Sequence, residues 1–394
     1  MSLRIRALKL ERIGCFESIK IPLNDSMNII CGENGIGKTT ILDSIALCFC
    51  GNIAFFVTKN ANSSTPGTIT AEIKSGTSIY SSNFRVDKFL PSAPGAANGP
   101  WRPEEARHFI HIRANRELQY QTLNSIGRDP EKNDHACMTE TSHGIRNQDL
   151  KSWFTNRYLF SAHNSLTKLQ KENLDFAIKS FSVLNDDVRF SSVRADSFDI
   201  MVDTNDGIIP FEFLSSGYRT SLFTILGIVK EIELRRLEVP ASLFSGIVMI
   251  DEIDMHLHPT WQQKILEILR TSFPSAQFIV ATHSPHVIQA AEPGQVIALV
   301  RGRDGRPVEN TLSAGEYGFK GWSVEEILQD VMGLKSVHSK KFSDALKSFE
   351  AALDNEDTNE IDKSFSLLDK MLHPSSHLRK LFRLQSLPYL GDRN

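Results

Sequence analysis

Residues 27–49 read MNIICGENGIGKTTILDSIALCF, and their reading decides the fold. A short apolar run, Met27 to Cys31, ends in a glycine-rich loop, and Ile41, Leu42, Ile45, Ala46 and Phe49 then recur at helical spacing. Strand, glycine loop, helix is the setting in which G-x-x-x-x-G-K-[ST] cradles phosphates, and Gly32, Gly37, Lys38 and Thr39 occupy its fixed positions. Glycines allow successive backbone N–H groups to turn toward phosphate oxygens, a lysine reaches the β- and γ-phosphates, and a hydroxyl at the helix start ligates magnesium. Asn34, Gly35, Gly37, Lys38, Thr39 and Thr40 are therefore the expected nucleotide ligands. The alternative is a glycine turn that merely starts a helix.

Two further apolar runs end in chemistry-bearing residues. In GIVMIDEIDMHLHPT (246–260), Ile247 to Ile250 have the continuous apolar character of a buried parallel strand, with Asp251 and Glu252 at its tip. Asp251 is expected to hold magnesium and Glu252 to orient the attacking water. A strand that simply ends in solvated acids is the bland alternative. The second run, Phe278 to Ala281, leads into THSPH, which puts His283 at a strand tip, where open parallel sheets gather ligand-binding groups. His256, His258, His283 and His286 also show spacings found in zinc sites, although Pro259 and the acidic pair account for the first two as a loop.

LSSGYRTS (214–221) places two serines and a glycine before a long apolar stretch of helical character. Serine caps free N–H groups, and a helix start is a ready anion site. Nothing in this segment alone names the anion.

The 394 residues are 41% hydrophobic and 23% charged, ordinary values for a globular chain of more than one compact unit, which excludes disorder throughout. A net charge of -3 gives no whole-chain reason to bind nucleic acid, so any DNA contact must come from a local basic patch or a partner. Five cysteines without regular spacing fit reduced thiols, the N-terminus lacks a signal-peptide core, and no run of about 18 apolar residues occurs. A soluble cytoplasmic protein is expected.

Between the phosphate loop and LSSGYRTS, residues 68–90 alternate as two or three antiparallel strands, and LPSAPGAANGPW (90–101) reads as a mobile surface loop. Residues 103–185 read as a largely helical insertion without sustained heptads. DIMVDTNDGIIPFEF (199–213) reads as a hairpin turning at Asp206-Gly207. The tail, 311–394, reads as a helical domain suited to partner docking: SVEE (323–326) is a capping box, Phe342, Leu346, Phe349 and Leu353 share one helical face, and Ile361, Phe365, Leu368 and Leu372 share another. SHLRKLFRLQSLPYL (376–390) mixes basic and apolar residues and is compatible with contact to nucleic acid or protein, or with a solvated amphipathic helix.

GENGIGKTT, LSSGYRTS, VMIDEIDMHLHP and ATHSP in this order resemble the ATP-binding cassette ATPases of the SMC, RecF and OLD type over roughly residues 1–300. The resemblance implies an α/β P-loop ATPase domain (1–310) with an antiparallel β part, in which ATP is hydrolysed between two head-to-tail protomers. By that resemblance Leu214, Ser215, Ser216 and Gly217 cap the γ-phosphate of a second protomer's ATP. It likewise makes Asp254 the aspartate that reports one site to the other, and Lys38, Glu252 and His283 the catalytic set.

Departures from the family are visible. ERIGCFE puts Gly14 where the family's first strand commonly ends in a nucleotide-touching arginine, with Arg12 as a substitute. Tyr218 replaces a common glutamine, which makes Arg219 an extra phosphate contact, and Gln119 and Gln121 are the nearest Q-loop residues although both also read as helix surface. No acidic set of the kind a TOPRIM nuclease needs occurs after residue 300. The armless ATPase with a helical tail, with LSSGYR, HLHPTWQ and EYGFKGWSVEEILQDVMG, resembles the PtuA-type ATPases of Septu and retron anti-phage systems, which implies a homo-oligomer that works with a separate HNH-type nuclease. A RecF-like repair ATPase that loads proteins onto DNA, and a nucleotide-switch scaffold controlling a toxin, are the alternatives.

Overall fold

The computed structural model describes residues 1–50, 57–89, 101–116, 120–127, 129, 131–163, 165–312, 314–336 and 338–390. The surface loop expected at 90–101 falls, but for Trp101, outside them, as does Gln119. In chain order the strands are β1 (Leu3–Ile13), β2 (Phe16–Pro22), β3 (Met27–Gly32), β4 (Gly67–Ser75), β5 (Ser78–Val86), β6 (Phe109–Ile112), β7 (Arg189–Val193), β8 (Ile200–Thr204), β9 (Gly207–Pro210), β10 (Ile247–Ile250), β11 (Gln277–Thr282), β12 (Val296–Arg301) and β13 (Pro307–Glu309). The helices are α1 (Lys38–Cys50), α2 (Pro103–Arg107), α3 (Asp134–His143), α4 (Asp149–Ser161), α5 (Lys168–Ser180), α6 (Ser216–Leu234), α7 (Pro259–Gln262), α8 (Ile265–Ser272), α9 (Pro285–Gln289), α10 (Val324–Glu326), α11 (Lys340–Asp354), α12 (Thr358–Met371) and α13 (His377–Leu390).

The central sheet has the order β13-β12-β3-β11-β10-β6, parallel but for β13. Every residue of β3, β6, β10 and β11 is buried, because a parallel sheet covered on both faces needs apolar residues on both. Alternation along each strand splits the interior in two. Ile247 and Met249 pack into one core with α1, β1, β2, β4 and β5, whereas Val248 and Ile250 pack into the other with α4, α5 and α6. Each fully buried aliphatic side chain in these cores contributes about 1.5–3 kcal/mol. The antiparallel sheet β2-β1-β4-β5 supplies the strands expected at 68–90.

Residues 103–185 hold α2 to α5 and also β6, which pairs with β10 in parallel, Ile250 opposite Ile112. Four residues, FIHI, are too short a run to separate strand from helix by periodicity. The hairpin of 199–213 turns at Asn205–Asp206, and Thr204 pairs with Gly207, one residue from the expected turn. The five cysteines are free thiols, and all but the half-buried Cys15 are buried.

The chain divides into two compact units, Met1–Gly333 and Leu334–Asn394. The stretch preceding the boundary joins the first unit: Gln289 Nε2 donates to the Trp322 carbonyl, Asn310 Nδ2 to that of Asp330, and Lys320 pairs with Glu292. The Ser323–Glu326 capping box is present. In the second unit α11, α12 and α13 enclose Phe342, Phe349, Ile361, Leu368 and Phe382, with Leu346, Leu353, Phe365 and Leu372 packed around them. Both helical stripes read from the sequence thus face that core.

Candidate active site

Three strands of the central sheet deliver the site. β3 feeds the glycine loop into α1, and the parallel order β3-β11-β10 brings the tips of the other two beside it. Gly32 has φ +142° and Gly37 φ +109°, where L side chains are strained. A β-carbon on Gly37 would come within 2.6 Å of Cys15 Sγ and the Phe16 ring, so β2 holds the loop tightly. Asn34, Gly35 and Thr39 are exposed and Thr40 is half-buried, leaving the loop's outer surface open.

Lys38 is buried, and its Nζ donates to the carbonyls of Gly32 and Glu33, both at 2.9 Å. It also lies 3.3 Å from His283 Nδ1. Burial pulls both groups below their usual pKa, and Lys38 adds to the effect on His283. An ammonium has only hydrogens to offer, so His283 Nδ1 accepts and its proton sits on Nε2 as a donor.

The acid tip of β10 is stitched to its neighbours. Asp251 N donates to the Ile112 carbonyl at 2.9 Å, and Ile253 N to that of Ala281 at 2.9 Å. Burial, followed by the neighbouring charge of Glu252, pushes the Asp251 carboxyl above its usual range. Glu252 itself has φ +48°, left-handed backbone that a residue with a β-carbon seldom adopts. Asp254 Oδ1 accepts from the Thr282 hydroxyl at 2.5 Å and from His283 N at 3.2 Å, tying this turn to the tip of β11. Lys38, Asp251, Glu252, Asp254 and His283 therefore form one cluster, every member within electrostatic reach of His283.

Ser215 and Ser216 stand at the start of α6. Ser215 caps the 19-residue α6 by accepting from Tyr218 N, and both serines are exposed. Among the described residues no hydrogen bond joins either to residues 32–40. Tyr218 is core: its hydroxyl donates to the Phe181 carbonyl and its ring meets Trp261 edge-on. Arg219 donates to the Glu212 carbonyl at 3.0 Å and Arg12 Nε to that of Pro66 at 3.0 Å. Gly14, φ +53°, lies against Thr40. Gln121 is outside any helix or strand and its carbonyl accepts from Lys151. His258 caps α7, and His286 contacts Gln289, so these histidines are engaged separately from His283.

"Septu protein PtuA" of Bacillus thuringiensis is 39% identical over 393 residues, covering 97% of both chains. The chain belongs to the Septu PtuA family. The family described as "AAA domain, putative AbiEii toxin, Type IV TA system" matches residues 27–289. "Retron Vc95 probable ATPase" of Vibrio cholerae serotype O1 biovar El Tor is 37% identical over 129 residues, 32% of this chain and 24% of that protein. Among solved structures, the SMC head domain from Thermotoga maritima has a TM-score of 0.45 at 15% identity, over 79% of this chain and all of that one.

Sequence reading missed a set of residues that this PtuA-family chain places around the site. Arg113, just past β6, pairs with Asp43 of α1 at 2.7 Å and donates to the Ser142 carbonyl. Arg116, 1% exposed, donates to the carbonyls of Asp251 and Glu252. Gln262 joins the acid turn to the tip of β11 by donating to the Leu257 carbonyl and accepting from Ser284 Oγ. The two arginines stand in RANREL, where only the pairing of β6 with β10 reveals their neighbours.

Proposed function

We propose that this PtuA-family chain binds ATP with magnesium at the glycine loop and hydrolyses it when a second copy closes over the γ-phosphate. The observation that carries the reading is the convergence of Lys38, His283 and the Asp251–Glu252 tip at the ends of three adjacent strands. Lys38, with backbone N–H groups of Asn34, Gly35, Gly37, Thr39 and Thr40, holds the phosphates. Glu252 orients the attacking water, and His283, donating through Nε2, holds the γ-phosphate. Magnesium fits the donor set: burial and mutual repulsion leave the Asp251 carboxyl beside Glu252 short of positive charge, and the exposed Thr39 hydroxyl adds a second hard oxygen. When bound there, held by Thr39 and Asp251, it supplies neutralisation of phosphate charge.

Ser215, Ser216 and Gly217 cap the nucleotide of a second copy; the exposure of both serines at the start of α6 supports this. Asp254 relays between the two sites. The relatives named Septu PtuA and retron ATPase support a role in anti-phage defence. In the reading proposed here the protein is cytoplasmic, and its nucleotide state controls a separate HNH-type nuclease acting on DNA. A second reading, a nucleotide switch that restrains a toxin, is favoured by the toxin–antitoxin wording of the matching family.

Mixing two inactive variants tests the shared site. Lys38→Ala is expected to abolish nucleotide binding, and Ser216→Arg to block closure while sparing it. Each mixed pair then holds one intact site, so hydrolysis returns on mixing; failure at every ratio counts against closure by a second copy. Co-purification of a nuclease, rather than of a toxin whose activity falls on binding, separates the two readings.

A further inference from the structure

Arg116 is the largest charged side chain sealed against the acid tip, and nothing in the proposed mechanism uses it. Its Nη1 donates to the Asp251 carbonyl at 2.6 Å and to that of Arg113 at 3.2 Å, and its Nη2 donates to the Glu252 carbonyl at 2.5 Å. In extended backbone successive carbonyls point to opposite sides, as side chains do, and one planar fork could not take both. It does so here because Glu252 turns left-handed, at φ +48°. Should Glu252 relax to an ordinary extended conformation, its carbonyl would swing away from Nη2.

The segment that carries Arg116 is itself anchored at both ends of the site. Ile112 accepts from Asp251 N, and Arg113 pairs with Asp43 on the helix that leaves the phosphate loop. Residues 112–116 therefore fix the distance between α1 and the strand tip, and the Arg116 fork fixes the turn at that tip. The interaction is main-chain on the acceptor side, so it survives replacement of the Asp251 or Glu252 side chains.

We propose that Arg116 is a positioning residue for hydrolysis: its guanidinium holds the left-handed backbone of Glu252, and so aims the carboxylate that orients water. This rests on the role given to Glu252 above. Its failure and the failure of that role are separable, because each has its own variant.

The full-length protein is compared with Arg116→Lys, Arg116→Ala and Glu252→Gln for steady-state hydrolysis, for the affinity of a fluorescent ATP analogue and for melting temperature. Arg116→Lys keeps the charge and loses the fork, so it should melt close to wild type, bind nucleotide within about twofold and lose about 100-fold in kcat, the scale of a displaced catalytic group. Methylguanidinium added to Arg116→Ala should restore part of kcat, and combining Arg116→Ala with Glu252→Gln should add little to the loss from Glu252→Gln alone. An Arg116→Lys protein that folds and turns over at the wild-type rate overturns the proposal, as does a loss confined to nucleotide affinity. If Glu252→Gln hydrolyses at the wild-type rate, the role of Glu252 falls and this proposal with it; a slow Glu252→Gln beside a normal Arg116→Lys removes the positioning alone.

Discussion

Gly217 rests on the main-chain carbonyl of His256: a β-carbon on the glycine would stand 2.4 Å from that oxygen. The start of α6 is thereby in contact with the same turn that reaches through Asp254 to Thr282 and His283, and from His283 to Lys38. His256 has φ +64°, so its backbone has little freedom to yield. Gly217→Ala is expected to displace the helix start, lowering kcat at least about tenfold while the Kd of a fluorescent ATP analogue, set by the lysine loop, stays within about twofold. Stopped-flow nucleotide binding beside steady-state hydrolysis checks this.

Gly37→Ala should act at the other end. Its backbone φ of +109° and the 2.6 Å approach of Cys15 and Phe16 leave no room for a methyl group. Strain of this kind costs about 1–3 kcal/mol. The variant is expected to lose nucleotide binding, with a fall in melting temperature that added ATP no longer corrects. Thermal shift with and without ATP-magnesium measures both effects.

Placing an arginine at position 14, where the family resemblance expects one, should fail. Gly14 has φ +53°, and a β-carbon there would approach Thr40 Cγ2 to 2.8 Å. Gly14→Arg is expected to weaken nucleotide affinity rather than improve it. Titration of the variant with the fluorescent analogue decides the sign.

Acid should destabilise the first unit through two histidines. Burial lowers His111 to about 3, and burial together with nearby positive charge lowers His108 to about 4. An unfolded histidine titrates near 6.5, so below that pH the unfolded chain binds more protons and stability falls as pH drops. The loss is about 1.4 kcal/mol per pH unit per histidine, running from about 6.5 down to the folded values. His111 Nδ1 lies 2.8 Å from the Thr141 carbonyl and Nε2 is buried without a partner among the described residues. His111→Gln should flatten the pH dependence of denaturant unfolding by about one proton between pH 6 and 5.

Glu231 is expected to be the costliest carboxylate to remove. Burial acts to raise its pKa, but Lys230, Arg235 and Lys132 outweigh burial and hold it well below the usual carboxylate range. Lys132 lies at 2.7 Å and Arg235 at 2.9 Å, and Arg235 also reaches the carbonyls of Ala106 and Phe109 beside β6. Without Glu231, Lys132 and Arg235 share the single carboxylate of Glu140 and buried Lys230 loses its own, a loss of about 3–5 kcal/mol. Glu231→Ala should show that loss in chemical denaturation, and Glu231→Asp a smaller one.

The glycine loop is legible in the sequence because its chemistry is local: the residues that shape it stand within a dozen positions. Asp251, Glu252 and His283 are legible because a continuous apolar run marks a buried parallel strand, and the first polar residues after that run mark the strand tip. Arg116 is hidden for the opposite reason. Its acceptors lie 135 and 136 residues away in sequence, and they meet it only through a four-residue strand inside a stretch that reads as helical. Tyr218 and Arg219 read as surface chemistry because a helix start gives no sign of which side the core takes. The contact of Tyr218 with Phe181 and Trp261 settles that side, and it depends on packing between distant helices.

With four of the five thiols sealed inside the fold, and burial pushing that of Cys31 up to about 12, thiol-directed reagents meet little competition from the native side chains. A fluorophore attached through Ser78→Cys, exposed at the start of β5, would then report proximity to a donor on another copy without stripping the natural cysteines from the core. Interior chemistry thus leaves the outer face available for optical distance measurement.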